Sequence, residues 1–99
     1  MKKYLRDKKN LKICVIGLGY VGLPLAIEFG KKFSTIGFDI KKSRIENLKI
    51  NIDENNEVKK KNFISSKFLN FSSNYREISN SNFYIICVPT PVNRKNIPD

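Results

Sequence analysis

The sequence predicts an α/β fold on a parallel sheet, and three observations carry that prediction. The apolar run Leu11-Lys12-Ile13-Cys14-Val15-Ile16 leads directly into a glycine-rich turn. It is near-continuous rather than alternating, the pattern of a central parallel strand covered on both faces. After it, short β-branched or aromatic runs alternate with helix-like stretches and no internal repeat intervenes. Such alternation implies right-handed crossovers between parallel strands. At 99 residues the chain has room for one domain.

Each element has its own signal. Residues 1–10 read as a basic flexible tail and Leu11 to Ile16 as the first strand. Tyr20 to about Lys32 is the first helix; Pro24 falls in its opening turn, where a missing N–H costs little. Ser34 to Ile40 is the second strand, with Ile36, Phe38 and Ile40 alternating. Lys41 to Lys49 is a helix that buries Ile45 and Leu48, and Asn51 after it suits a left-handed helix-ending position. A polar loop over 51–56 precedes a short helix around Val58 to Ser65. Phe68 to Ser72 is the third strand, Tyr75 to Asn80 a helical turn, and Phe83 to Val88 a strongly apolar fourth strand. The natural strand order is 3-2-1-4, with helices on both faces and a ligand crevice between strands 1 and 4.

The turn reads Gly17-Leu18-Gly19-Tyr20-Val21-Gly22. After a strand and before a helix, this spacing is the dinucleotide-binding fingerprint of the Rossmann fold. Gly17 permits the tight turn, Gly19 removes a side chain that would strike a pyrophosphate, and Gly22 lets the helix approach the sheet. The N–H groups of Tyr20 and Val21 face the phosphate, and the helix dipole contributes about 0.3–1 kcal/mol toward an anion there. Asp39 lies 22 residues after Gly17 at the end of the second strand. A carboxylate there accepts from ribose hydroxyls and repels a 2′-phosphate, favouring NAD over NADP. Arg44 has three readings: acceptor of a 2′-phosphate, neighbour of the adenine or ribose, or plain exposed helix arginine. Val88-Pro89-Thr90-Pro91 leaves the fourth strand on the same side as the turn. Thr90 either offers a hydroxyl and an N–H to the cofactor or belongs to a simple strand terminator.

Composition narrows the partners. The formal charge is +10, from 19 basic and 9 acidic residues. Nucleic acid and acidic membranes are the partners such a charge raises. The lysines are scattered, however, and the dense cluster Lys2, Lys3, Arg6, Lys8 and Lys9 reads as a solvated leader. Neither nucleic acid nor membrane is the expected partner. Glycines and Pro24 break the apolar stretch from Ile13 to Ala26, so it reads as neither signal peptide nor membrane span. Cys14 and Cys87 sit in apolar runs without metal or redox spacing, as two buried reduced thiols of a cytoplasmic protein.

Beyond the tail, Lys12 to Asp99 resembles the N-terminal NAD-binding domain of the UDP-glucose/GDP-mannose dehydrogenase family. The resemblance rests on GLGYVGLPLA, EFGKKF, GFDI and VPTPV. Leu23-Pro24 and EFGKKF are most similar to the branch acting on UDP-N-acetylhexosamines, which supplies uronic acids for polysaccharide biosynthesis. The resemblance implies NAD as cofactor, with the 17–22 turn (including Leu18), Asp39, Arg44 and Thr90 in contact with it. It implies two successive oxidations of the sugar C6 alcohol to a carboxylate with two NAD. A thiohemiacetal on a catalytic cysteine comes between them, as suits thiolate chemistry. Neither Cys14 nor Cys87 matches that nucleophile, so residues 11–99 are expected to be the N-terminal part of such a domain, without activity alone. Longer relatives are expected to be homo-oligomers with a UDP-sugar substrate. A non-catalytic nucleotide-sensing module and a UDP-glucose 6-dehydrogenase fragment are the alternatives.

Overall fold

The computed structural model describes residues 10–56 and 58–87. Four strands, β1 (Lys12–Ile16), β2 (Ser34–Phe38), β3 (Leu69–Ser72) and β4 (Phe83–Ile86), form one parallel sheet in the order β3-β2-β1-β4. The helices are α1 (Gly22–Gly30), α2 (Lys42–Lys49) and α3 (Lys60–Ser65), with a 3-10 helix over Tyr75–Ile78. The sheet order is the one the alternation predicts.

Side-chain alternation across the parallel register assigns the two faces. Ile13 and Val15 of β1 join Leu23, Ala26 and Ile27 of α1, Ile45 and Leu48 of α2, and Phe63 of α3 in one buried cluster. Phe71 meets Phe63 on this same face, with ring centroids 6.2 Å apart. The opposite face carries the 3-10 helix, whose Tyr75 packs on Phe38 at 6.1 Å. The three inner residues of β1, Ile13, Cys14 and Val15, are all buried, as a central strand requires.

Several boundaries differ from expectation for local reasons. Strand β2 stops at Phe38, and Ile40 is exposed rather than alternating inward. The Asp39 carboxylate accepts from the Lys41 N–H at 3.0 Å, a side-chain turn that lifts the chain off the sheet. Helix α1 starts two residues later than expected, so Pro24 is its third residue, still inside the first turn. Helix α3 starts at Lys60, although Val58 ahead of it packs against the core. Asn51 adopts φ +64, the expected left-handed stop for α2. Strand β4 is apolar but largely exposed at Phe83, Tyr84 and Ile86, because among the described strands it borders only β1.

Candidate functional site

The carboxyl ends of β1 and β2 and the start of α1 converge on the glycine turn. The Gly17 N–H donates to the Phe38 carbonyl at 2.8 Å, and the Cys87 N–H donates to the Ile16 carbonyl at 2.7 Å. These bonds tie the end of β1 to both neighbours and leave the turn projecting past the sheet edge.

The three glycines have distinct steric roles. Gly17 has φ +97, and a Cβ there would lie 1.9 Å from the Cys87 carbonyl oxygen. A Cβ on Gly22 would lie 1.7 Å from the Gly17 carbonyl oxygen, so α1 reaches the turn only because that atom is missing. Around Gly19 the opposite holds: an added Cβ meets nothing within 4 Å. The turn is closed at its first and third glycines and open at the second. That is the shape a pyrophosphate needs for close backbone approach.

Electrostatics favour an anion at the same place. Val21, the residue ahead of α1, makes no side-chain capping bond, and the first turn of α1 holds no acidic residue. The helix N-terminus keeps its partial positive charge for an incoming group. Tyr20 and Val21 are exposed there.

The turn 17–22, Asp39 and Arg44 line one cleft of about 640 Å³. Asp39 is part-buried; its Oδ2 accepts from the Leu18 N–H at 3.0 Å and its Oδ1 from Lys41. A carboxylate has about four lone-pair sites, so two such bonds leave capacity for ribose hydroxyls. Arg44 is not an exposed helix arginine; it is 6% exposed and lies beneath the turn. Its Nε and Nη2 donate to the Leu18 carbonyl at 3.0 and 2.7 Å, and its Nη1 to Asp53 Oδ1 at 2.7 Å. Thr90 and the VPTP stretch lie outside the described residues.

Sequence reasoning missed Asp53, Glu54, Asn55 and Cys87. Asp53 is the buried counter-ion of Arg44, while the other three line the cleft. A signal for the first existed. Arg44 shares a helix face with Ile45 and Leu48, and a buried guanidinium needs a carboxylate. Asp53 is the first acidic residue after that helix. Cys87 is half-buried against the cleft rather than sealed in the core, whereas Cys14 is buried as expected. Burial pushes the Cys14 thiol up to about 11.

A larger cavity, about 750 Å³, opens beside β3 between Phe63, Phe71 and Arg76, away from the glycine turn. Its buried hydroxyls are already used. Ser66 Oγ donates to the Ile27 carbonyl, and Ser72 Oγ bonds Glu77 and the Asn74 carbonyl. It presents no buried polar group awaiting a ligand.

Known proteins agree with this geometry. The family described as "UDP-glucose/GDP-mannose dehydrogenase family, NAD binding domain" matches residues 11–99. The UDP-N-acetyl-D-glucosamine 6-dehydrogenase of Salmonella typhi is 49% identical over 90 residues, covering 91% of this chain and 21% of that protein. A UDP-N-acetyl-D-mannosamine dehydrogenase of Methanococcus maripaludis is 39% identical over 85 residues, covering 81% of this chain and 19% of that protein. The solved UDP-D-ManNAc dehydrogenase of Pyrococcus horikoshii superposes with TM-score 0.69 at 32% identity, covering 90% of this chain and 22% of that one. The chain thus spans about a fifth of the length of the curated relatives it matches.

Proposed function

The chain belongs to the UDP-glucose/GDP-mannose dehydrogenase family through its NAD-binding domain, and from that premise we propose that it supplies the ADP side of the NAD site in a UDP-N-acetylhexosamine 6-dehydrogenase. The observation that carries the proposal is the glycine turn, open at Gly19 and closed at Gly17 and Gly22, beside a carboxylate at Asp39. The turn and the start of α1 would hold the pyrophosphate. Asp39 receives the adenosine ribose hydroxyls and disfavours a 2′-phosphate. Thr90 completes the cofactor contacts, and Arg44 forms the floor of the cleft. NAD held there would supply the hydride acceptor for oxidation at the sugar C6 position. The residues of this chain bind and orient it, while the catalytic cysteine and the sugar site come from the family's further domains. Identities of 49% and 45% to two UDP-N-acetyl-D-glucosamine 6-dehydrogenases favour that branch. The UDP-sugar substrate, assembly into homo-oligomers and a cytoplasmic setting belong to the same proposal. Among the described residues no helix is long and apolar enough to cross a membrane.

Two measurements test the reading. Titrating NAD and NADP into the 15N-labelled chain is expected to shift the amide signals of residues 17–22 with NAD and far less with NADP. Equal response to both cofactors overturns the role of Asp39. Substituting this chain for the matching segment of the Salmonella typhi enzyme is expected to give NADH, followed at 340 nm, with UDP-N-acetylglucosamine. A folded chimera that binds NAD and turns over no UDP-sugar overturns the proposal.

A further inference from the structure

We infer that Arg44 and Asp53 are positioning residues of the dinucleotide site, acting through the Leu18 peptide; the inference rests on the cofactor reading above. Both polar groups of Leu18 are held. Its N–H donates to Asp39 Oδ2 at 3.0 Å, and its carbonyl accepts from Arg44 Nε at 3.0 Å and Nη2 at 2.7 Å. The guanidinium is itself fixed by Asp53 at 2.7 Å, with side-chain exposures of 7% and 1%. Asp53 is fixed in turn by its own loop. Its Oδ1 accepts from the Asn55 N–H at 3.1 Å and its Oδ2 from the Val58 N–H at 3.0 Å.

The consequence follows from peptide geometry. The Leu18 carbonyl and the Gly19 N–H belong to one trans peptide plane and point in opposite directions. Holding the carbonyl inward on a buried guanidinium therefore turns the Gly19 N–H the other way. Gly19 is also the position where the backbone is open, with nothing within 4 Å of an added Cβ. Arg44 thus presets the donor that a pyrophosphate meets, and Asp53 keeps Arg44 from swinging into the cleft. The planar fork is essential, since one side chain must serve a carbonyl and a carboxylate at once, which a lysine point charge does not reproduce.

Asp53→Asn and Arg44→Lys separate this role from direct contact. Positioning predicts that both variants move the Leu18 and Gly19 amide signals in the free protein. It also predicts that both weaken NAD binding, by about tenfold for the loss of one charge-assisted bond. Direct contact predicts the reverse: Asp53→Asn releases the guanidinium and keeps or strengthens affinity, and Arg44→Lys keeps most of it. That pattern, or unmoved amide signals in both variants, overturns the inference. Should the single variants fail to fold, the double variant Arg44→Met/Asp53→Leu replaces the pair with apolar volume. It is expected to fold without regaining NAD affinity; wild-type affinity in that variant overturns the inference. A wild-type chain that gives no NAD response at residues 17–22 refutes the cofactor reading instead. The free-protein amide signals still decide whether Arg44 sets the turn.

Discussion

Alanine at Gly19 and at Gly22 should separate ligand binding from folding within one turn. At Gly22 the new methyl would lie 1.7 Å from the Gly17 carbonyl oxygen and 2.9 Å from its carbon. The first is roughly 1.5–2 Å inside van der Waals contact and the second about 1 Å. Both obstacles are backbone atoms, so α1 or the turn must shift as a unit. Overpacking of this kind costs about 1–3 kcal/mol, offset by at most about 1 kcal/mol of better helix propensity. A net loss of about 2 kcal/mol lowers Tm by roughly 8–16 °C for a domain of this size. At Gly19 the methyl meets nothing within 4 Å, and Gly17 is the only described glycine with positive φ. Stability there should hold or rise by about 0.4–1 kcal/mol through the unfolded chain. On the proposed cofactor reading, the same methyl would occupy the space of the pyrophosphate. Losing one hydrogen bond to a charged group, about 1.5–3 kcal/mol, weakens NAD binding roughly 10- to 150-fold. Circular dichroism melts and an NMR titration with NAD check both arms. Wild-type affinity in Gly19→Ala, or a wild-type melting temperature in Gly22→Ala, refutes the assignment of the two glycines.

Other expectations follow from burial and conformation. The Cys14 thiol is raised from 9.0 to about 11 by burial, so the folded chain holds this proton longer than the unfolded one. Stability should therefore fall as pH rises from 9.0 towards 11. Melts of wild type and Cys14→Ala across that range should diverge in slope, and parallel curves would count against it. Asn51, at φ +64, should tolerate Gly without loss, whereas Asn51→Ala should cost about 1 kcal/mol in a urea melt. Equal midpoints for the two variants would contradict the left-handed cap. Phe83, Tyr84 and Ile86 leave β4 an apolar, exposed strand, so the isolated chain should self-associate in sedimentation velocity and Ile86→Lys should reduce it. A chain monomeric at high concentration would refute that. Mixed with NAD and UDP-N-acetylglucosamine, the isolated chain should produce no NADH; measurable turnover would place catalytic groups within these residues.

Much of this architecture is local in origin, which is why the residues alone reveal it. Strand order follows from alternating elements and the handedness of crossovers. The turn follows from glycines whose spacing matches three steric needs, and Asn51 from the side chain that best tolerates a left-handed stop. Ile45 and Leu48 follow from helical periodicity. Asp39 falls where β2 ends, although its second bond, to the Leu18 N–H, is not encoded by spacing.

The sequence by itself determined a parallel sheet in the order β3-β2-β1-β4 and a tight glycine turn at Gly17 to Gly22, because these depend on backbone sterics and short-range periodicity. Only the tertiary structure decided that Arg44 is buried, that Asp53 is its counter-ion, that Cys87 lines the cleft and that Ile40 and the β4 residues Phe83, Tyr84 and Ile86 are exposed. These depend on how the loop after α2 folds back beneath the turn and on which strand lies beside which. A guanidinium reaching from α2 to the Leu18 carbonyl, 26 residues earlier in the chain, is invisible until both ends are packed together.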